Sequence, residues 1–300
     1  MGYLDVGESN KIYYELSGNP KGNPVISIHG GPGGGFSRND KRFFNPKWFN
    51  IITFDQRGSG KSRPFASIKN NTTFRLADDI KKLLEHLRIN KIILFGGSWG
   101  STLGLVYAIK YPETVKAVVI RGIFLGNKEE NDYLIYNAKD TFPEAWVKMI
   151  RLVPEKYRKN IMKYYLRMIL SKDRKISKRY SYAWAEYEFS VSKLVSNEKK
   201  VRELLKKIKY EAFSKIELHY LINNCFLPKD FILKNAYRLR SIPITIVHGR
   251  YDNVCPPISA YKLHRRIPSS RLIFTIAGHS ASDEETEKVL IREMDKLKNI

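Results

Sequence analysis

The spacing of apolar residues changes twice along the chain. Up to about residue 125 they come in short runs, at 25–28, 51–54, 92–95 and 117–120, and each run ends in histidine, glycine or charge. Short apolar runs bounded by turn residues read as buried strands. Runs at 4–6 and 11–16 flank Glu8-Ser9-Asn10 and predict a hairpin. Leu76, Ile80, Leu83, Leu84 and Leu87 recur at helical spacing, which predicts a helix capped by Thr72 or Thr73. From about Asn127 to Arg240 the pattern is helical, basic and rich in tyrosine, with no convincing buried strand. Strand signals return at 244–247 and 272–276, and a last amphipathic helix passes through Val289, Leu290, Met294 and Leu297. Strand–helix units on both sides of a helical block predict an α/β fold, a mostly parallel sheet flanked by helices and interrupted by an inserted helical cap. The expected division is 1–125 for the first part of the core, 126–240 for the cap and 241–300 for the second part of the core.

One turn carries the sharpest chemical signal. Gly96-Gly97-Ser98-Trp99-Gly100 stands directly behind the run at 92–95 and before a helical stretch at 101–108. G-x-S-x-G between strand and helix is a nucleophile elbow, a turn that lifts a serine hydroxyl to the end of a sheet. A serine needs a base to take its proton, and on this kind of sheet the partners follow in the order Ser, Asp, His, each after a strand. Of the six histidines, His86 and His264 sit in amphipathic helices, His29 and His248 precede glycines just after strands, and His219 lies in the helical block. His279, in Ala277-Gly278-His279-Ser280 after the last strand, remains as the base. Asp252, in Val247-His248-Gly249-Arg250-Tyr251-Asp252, is the acid that would fix its tautomer. Asp283 and Glu284 are read as carboxylates opening the last helix. The oxyanion needs two backbone donors: the amide of Trp99 and one from His29-Gly30-Gly31-Pro32-Gly33-Gly34-Gly35, with Gly31 the best candidate.

Composition agrees with an enzyme and narrows its class. The chain has 300 residues, 43% of them hydrophobic, enough for a sizeable core. The opening segment has no signal-peptide shape and no apolar run is long enough to span a bilayer, so a cytosolic location without membrane insertion is expected. Cys225 and Cys255 form neither a disulfide framework nor a metal motif. Gly58-Ser59-Gly60-Lys61-Ser62 fails as a phosphate loop because Asp55 occupies the first glycine position, and Phe36 spoils a G-x-G-x-x-G reading of the run from Gly31. No cofactor or metal is expected. The formal net charge of +23 is unusual. Its clusters at 172–178 and 199–207 lack any nucleic-acid motif, so they are read as solvated faces rather than a specific nucleic-acid surface.

His29-Gly30-Gly31-Pro32-Gly33-Gly34-Gly35, Asp55-Gln56-Arg57-Gly58-Ser59-Gly60-Lys61-Ser62 and Gly96-Gly97-Ser98-Trp99-Gly100-Ser101 together resemble the proline iminopeptidases, serine peptidases of the α/β-hydrolase fold. Arg121-Gly122-Ile123-Phe124, Gly249-Arg250-Tyr251-Asp252 and Ala277-Gly278-His279 extend the resemblance over nearly the whole chain. It implies release of an N-terminal proline from small peptides through an acyl-enzyme. It also implies two cap glutamates that hold the substrate's free amine. One is Glu188, in Trp184-Ala185-Glu186-Tyr187-Glu188, where Tyr187 replaces the family's second tryptophan. The other is Glu217, before Leu218-His219-Tyr220. Both stand on apolar helical faces, beside Trp184, Tyr187 and Val191 or Phe213 and Tyr220, where a carboxylate is costly unless it meets a cation or donor. Phe124, Leu221 and Cys255 are candidates for the pocket that receives the proline ring. The alternative on the same scaffold is a broader aminopeptidase or amino-acid amide/ester hydrolase.

Overall fold

A computed structural model describes all 300 residues. The chain opens with the expected hairpin, β1 (Gly2–Gly7) and β2 (Asn10–Gly18), paired antiparallel. Its connection, Glu8-Ser9, has positive φ at both residues (57° and 61°), the backbone of the tight turns whose twist matches that of the flanking strands. The remaining strands are β3 (Asn23–Ile28), β4 (Phe49–Asp55), β5 (Ile92–Ser98), β6 (Val115–Ile123), β7 (Ile244–Gly249) and β8 (Arg271–Thr275). They form one eight-stranded sheet in the order β1-β2-β4-β3-β5-β6-β7-β8. The β1–β2 and β2–β4 pairs are antiparallel and every other pair is parallel.

The central strands are apolar at successive positions because helices cover both faces. Ile26, Ile52, Leu94, Val118 and Ile246 enter the larger core, under α1 (Thr73–His86), α2 (Trp99–Lys110) and the inserted helices. Val25, Ile51, Ile93, Val119 and Val247 face the other way, into a smaller core with Val289, Leu290 and Met294.

Between β6 and β7 the chain is helical, as its sequence predicts. The helices are α3 (Lys128–Tyr136), α4 (Ala138–Thr141), α5 (Pro143–Ile150), α6 (Ile161–Ile169), α7 (Arg174–Val191), α8 (Glu198–Lys207), α9 (Tyr210–Ile222) and α10 (Phe231–Asn235), with short 3-10 turns among them. α11 (Pro257–Arg266) and α12 (Glu284–Asp295) complete the core layers. No helix is long and apolar enough to cross a membrane.

Two expected helix starts differ in detail. Thr72 is the N-cap of α1 but makes no side-chain capping bond. The hydroxyl of Thr73 instead donates to the Cys225 carbonyl and ties this helix to the loop after α9. Asp283 is the N-cap of α12, yet its carboxylate accepts from the amides of Gly278 (2.7 Å) and Leu194 (3.3 Å) rather than from its own helix. A side chain that bridges two other segments is invisible to a rule that reads capping from local sequence.

Candidate active site

Ser98 ends β5 and Trp99 begins α2, so the serine occupies the turn itself. Its backbone stands at φ 56°, ψ −128°, a strained conformation that persists only where its surroundings enforce it. The enforcement is steric: a Cβ on Gly100 would come within 2.2 Å of the Ile28 carbonyl oxygen. The turn is therefore wedged against the end of β3, and Ser98 is pushed out into a cleft.

That cleft is a cavity of about 1060 Å³ whose wall includes Ser98, His279, Gly30, Gly31, Arg121, Glu188 and Phe213. His279 and Asp252 meet directly, with 2.8 Å between the ring Nδ1 and the carboxylate Oδ2. Asp252 Oδ1 accepts from the amides of Val254 and Cys255, both at 2.8 Å. Burial alone would raise the Asp252 carboxyl, but the His279 ring, His248 and the Cys255 amide outweigh it and hold the acid below its ordinary range. It is therefore ionised beside the imidazole. Ser98 and His279 are not hydrogen-bonded to each other but line the same cavity. Such contacts commonly tighten only with substrate present.

The glycine-rich loop after β3 lies over the serine: a Cβ on Gly30 would be 3.5 Å from that of Ser98. Gly31 has φ 109°, and a side chain there would press within 2.8 Å of the Gly33 amide nitrogen. The loop is held by the segment after β4. Gln56 donates from its side chain to the His29 carbonyl (2.9 Å) and accepts from the Trp99 indole (2.8 Å). One glutamine thus spans the two stretches that carry Gly31 and Trp99. Asp55 accepts from the Phe36 and Lys61 amides, and burial, first among the influences on it, raises its carboxyl to about 6. Arg57 makes a buried, two-pronged ion pair with Asp79 (2.6 and 2.8 Å). The Asp55–Ser62 run, dismissed above as a phosphate loop, is thereby a brace for the site. His29 is part of that brace, buried and shifted down to about 4 by desolvation.

Two further braces act on the last loop. Arg121 donates to the His279 carbonyl at 2.6 Å, and Asp283 holds the Gly278 amide. In sequence, Asp283 reads only as a helix-opening carboxylate and Arg121 only as part of a motif, neither as a brace. The available signal was an arginine at the C-terminal end of an otherwise apolar strand.

On the helical side, Glu188 of α7 and Glu217 of α9 are both buried and in hydrogen-bond contact with each other. The Trp184 indole donates to Glu217 at 2.6 Å, while Glu188 Oε2 has no partner. Burial raises both carboxyls, and Glu188 pushes Glu217 further up. Two such carboxyls close together hold a proton between them more readily than two charges. His279 lies close enough to Glu188 to lower it slightly.

Phe124, Leu221 and Cys255 are the residues expected at a pocket for the proline ring. None belongs to the cavity wall; all three side chains are packed in the main apolar core. Phe124 is stitched to α2, its carbonyl accepting from Thr102 and its amide donating to Ser101. Leu221 offers its carbonyl to Asn131 of α3. Cys255 lies beneath Asp252, and burial pushes its thiol well up. Apolar residues at the sheet's edge are claimed by core packing when helices cover that edge. The aromatic side chains that do face the cavity are Phe36, Phe43, Phe95, Phe189 and Phe213.

Residues 23–286 match the family model described as alpha/beta hydrolase fold. The chain is 41% identical over 301 residues to a proline iminopeptidase of Arabidopsis thaliana, covering 99% of this chain and 79% of that protein. It is 40% identical to a proline iminopeptidase of Neisseria gonorrhoeae, covering 99% of this chain and 95% of that one. The chain belongs to the proline iminopeptidase family. Among solved structures, an esterase from Exiguobacterium antarcticum superposes with a TM-score of 0.66 over the whole of both chains at 20% identity, a likeness of fold. Within the proline iminopeptidase family, a cleft lined by both the elbow serine and the buried Glu188 carboxyl is the feature from which a function is best argued.

Proposed function

We propose that this chain is a serine exopeptidase that releases N-terminal proline from peptides through an acyl-enzyme. The observation that carries the reading is Glu188, which lines the same cavity as Ser98 and His279 and is paired with the buried Glu217 behind it. A cationic amine is what such a pair lacks, and a nucleophile beside it cuts at the first peptide bond.

In this reading Ser98 attacks the carbonyl of the first residue while His279 takes its proton and then delivers it to the leaving amine. Asp252, ionised and fixed by two amides, steadies the imidazolium. The amides of Gly31 and Trp99 hold the oxyanion, and Gln56 keeps their two segments in register. Water then frees the acyl-enzyme by the same proton path. The helical segment 126–240 acts as a cap that supplies Glu188 and Glu217, and the substrates are small peptides with a free N-terminal amine.

The test is a panel of proline, alanine and leucine arylamides, free and N-acetylated. Proline should lead, acetylation should abolish cleavage, and Ser98→Ala, His279→Ala and Asp252→Asn should each lose activity by orders of magnitude without adding. Cleavage of acetylated and free substrates at equal rates would overturn the amine-anchored reading. Equal rates across the three residues would favour the broader aminopeptidase.

A further inference from the structure

The cavity wall includes many residues besides Ser98, His279 and Glu188, and part of it is basic. Lys193, Lys200, Lys207 and Lys209 line it from the segment around α8, and Arg38 lines it from the loop after β3. All five are exposed and none forms an ion pair. α8 sets this up by register. Val201 and Leu205 are buried, while Lys200, Leu204 and Lys207, at i, i+4 and i+7, form the stripe that meets the cavity. The helix's acidic residues, Glu198 and Glu203, are absent from that wall, and Glu198 is paired with Arg202.

The acidic residues of the cavity do not neutralise this face. Asp55 is occupied by two backbone amides and Glu188 is buried at the amine site. Glu15 pairs with Lys41 and Lys61, and Asp40 accepts from the Ser37 amide. A cleft lined by one sign of charge with low-dielectric walls concentrates its field on whatever enters.

The direction of the substrate follows from the proposed function, on which this inference rests. The first residue's amine goes to Glu188 and Glu217, and its carbonyl to Ser98. The rest of the peptide, which leaves as the amine product, has only the remainder of the cavity to occupy. We infer that Lys193, Lys200, Lys207, Lys209 and Arg38 form a carboxylate-binding subsite for the leaving side of the substrate. The carboxylate is either the C-terminus of a very short peptide or an acidic side chain one or two residues beyond proline. The cleft is thus polarised, with carboxyls for the amine at one end and ammonium groups for a carboxylate at the other.

Four peptides test this: Pro-Gly with a free carboxylate, Pro-Gly amide, Pro-Glu amide and Pro-Lys amide. At low salt, kcat/KM for at least one of the two anionic peptides should exceed that for Pro-Gly amide by about fivefold, the scale of several exposed ion pairs acting together. Pro-Lys amide should fall below it. The differences should shrink as salt approaches about 0.3 M, since exposed charges are screened. A preference confined to Pro-Gly identifies the terminal carboxylate, and one confined to Pro-Glu amide identifies the side chain. In Lys200→Glu/Lys207→Glu, the ratio of anionic to neutral turnover should drop to one or invert. Turnover of all four peptides within twofold at low salt overturns the subsite and leaves the peptidase reading standing. Absence of turnover with all four overturns both.

Discussion

Glu188 and Glu217 sit where water hardly reaches them, and desolvation makes both reluctant to ionise. An ammonium group entering between them supplies the missing charge and lets the shared proton leave. Glu188→Gln and Glu217→Gln should therefore each lower kcat/KM for free-amine peptides by about 30-fold or more, the effect of removing one partner from a buried charge pair. An ester lacking the amine should be hydrolysed about equally by the variants and the wild type, because Ser98 and the loops around it are untouched. The pH dependence has a defined sign. Both carboxyls are raised above their ordinary range, so acidification protonates them early and removes the amine site. The acid limb of kcat/KM for a proline peptide should then lie at higher pH than the limb for the amine-free ester. Coincident limbs, or a variant that loses ester and peptide turnover equally, would place these glutamates outside amine binding.

Glu130 opens α3 and joins it to the core. Its carboxylate accepts from the amides of Leu125 and Asn127 and from the Ser259 hydroxyl of α11. Burial, the largest influence, raises it to about 7 from an ordinary 4.5. A group raised in the folded state stabilises below its unfolded value and loses that contribution as pH climbs through the folded one. The contribution of Glu130 to the melting temperature should accordingly fall between about pH 4.5 and 7, so the melting temperature of Glu130→Gln relative to wild type should rise over that range, whatever the opposing contribution of buried His29 to both profiles. Asp55, raised in the same direction, leaves a residual slope in the variant. An unchanged pH profile in Glu130→Gln would contradict the assignment. Elements of this kind also mark the limit of what sequence discloses. The strands, the elbow and the helical block are legible because each writes its period or its turn residues locally. Ser98, Asp252 and His279 are legible because chain order on a parallel sheet restricts the choices. Gln56, Arg121 and Asp283 are not, since each works by bridging segments that are far apart in the chain. Phe124, Leu221 and Cys255 are ambiguous in sequence for the same reason: whether an apolar side chain lines a cleft or fills a core depends on which helix packs over it.

Over the whole molecule the formal charge is +23, while the carboxylates that matter most are withdrawn into the interior. Asp55, Asp79, Glu130, Glu188, Glu217 and Asp252 are all buried, so the surface is left more one-sided than the composition implies. Self-repulsion of that surface opposes the compact state, because unfolding spreads the same charges over a larger volume. Added salt screens such repulsion, with a Debye length of about 30 Å at 0.01 M and about 8 Å at 0.15 M. The melting temperature should therefore rise from 0.01 M to about 0.15 M sodium chloride and level off beyond it, where most of the change in screening length is already complete. The buried Arg57–Asp79 pair and the Asp252–His279 contact are screened far less and should contribute little to the change. Chloride is the appropriate salt, since sulfate would add a general strengthening of apolar burial and obscure the electrostatic part. A melting temperature that stays level or falls over that first range would mean that attractive surface pairs, such as those of Glu15 with Lys41 and Lys61, outweigh the excess of positive charge.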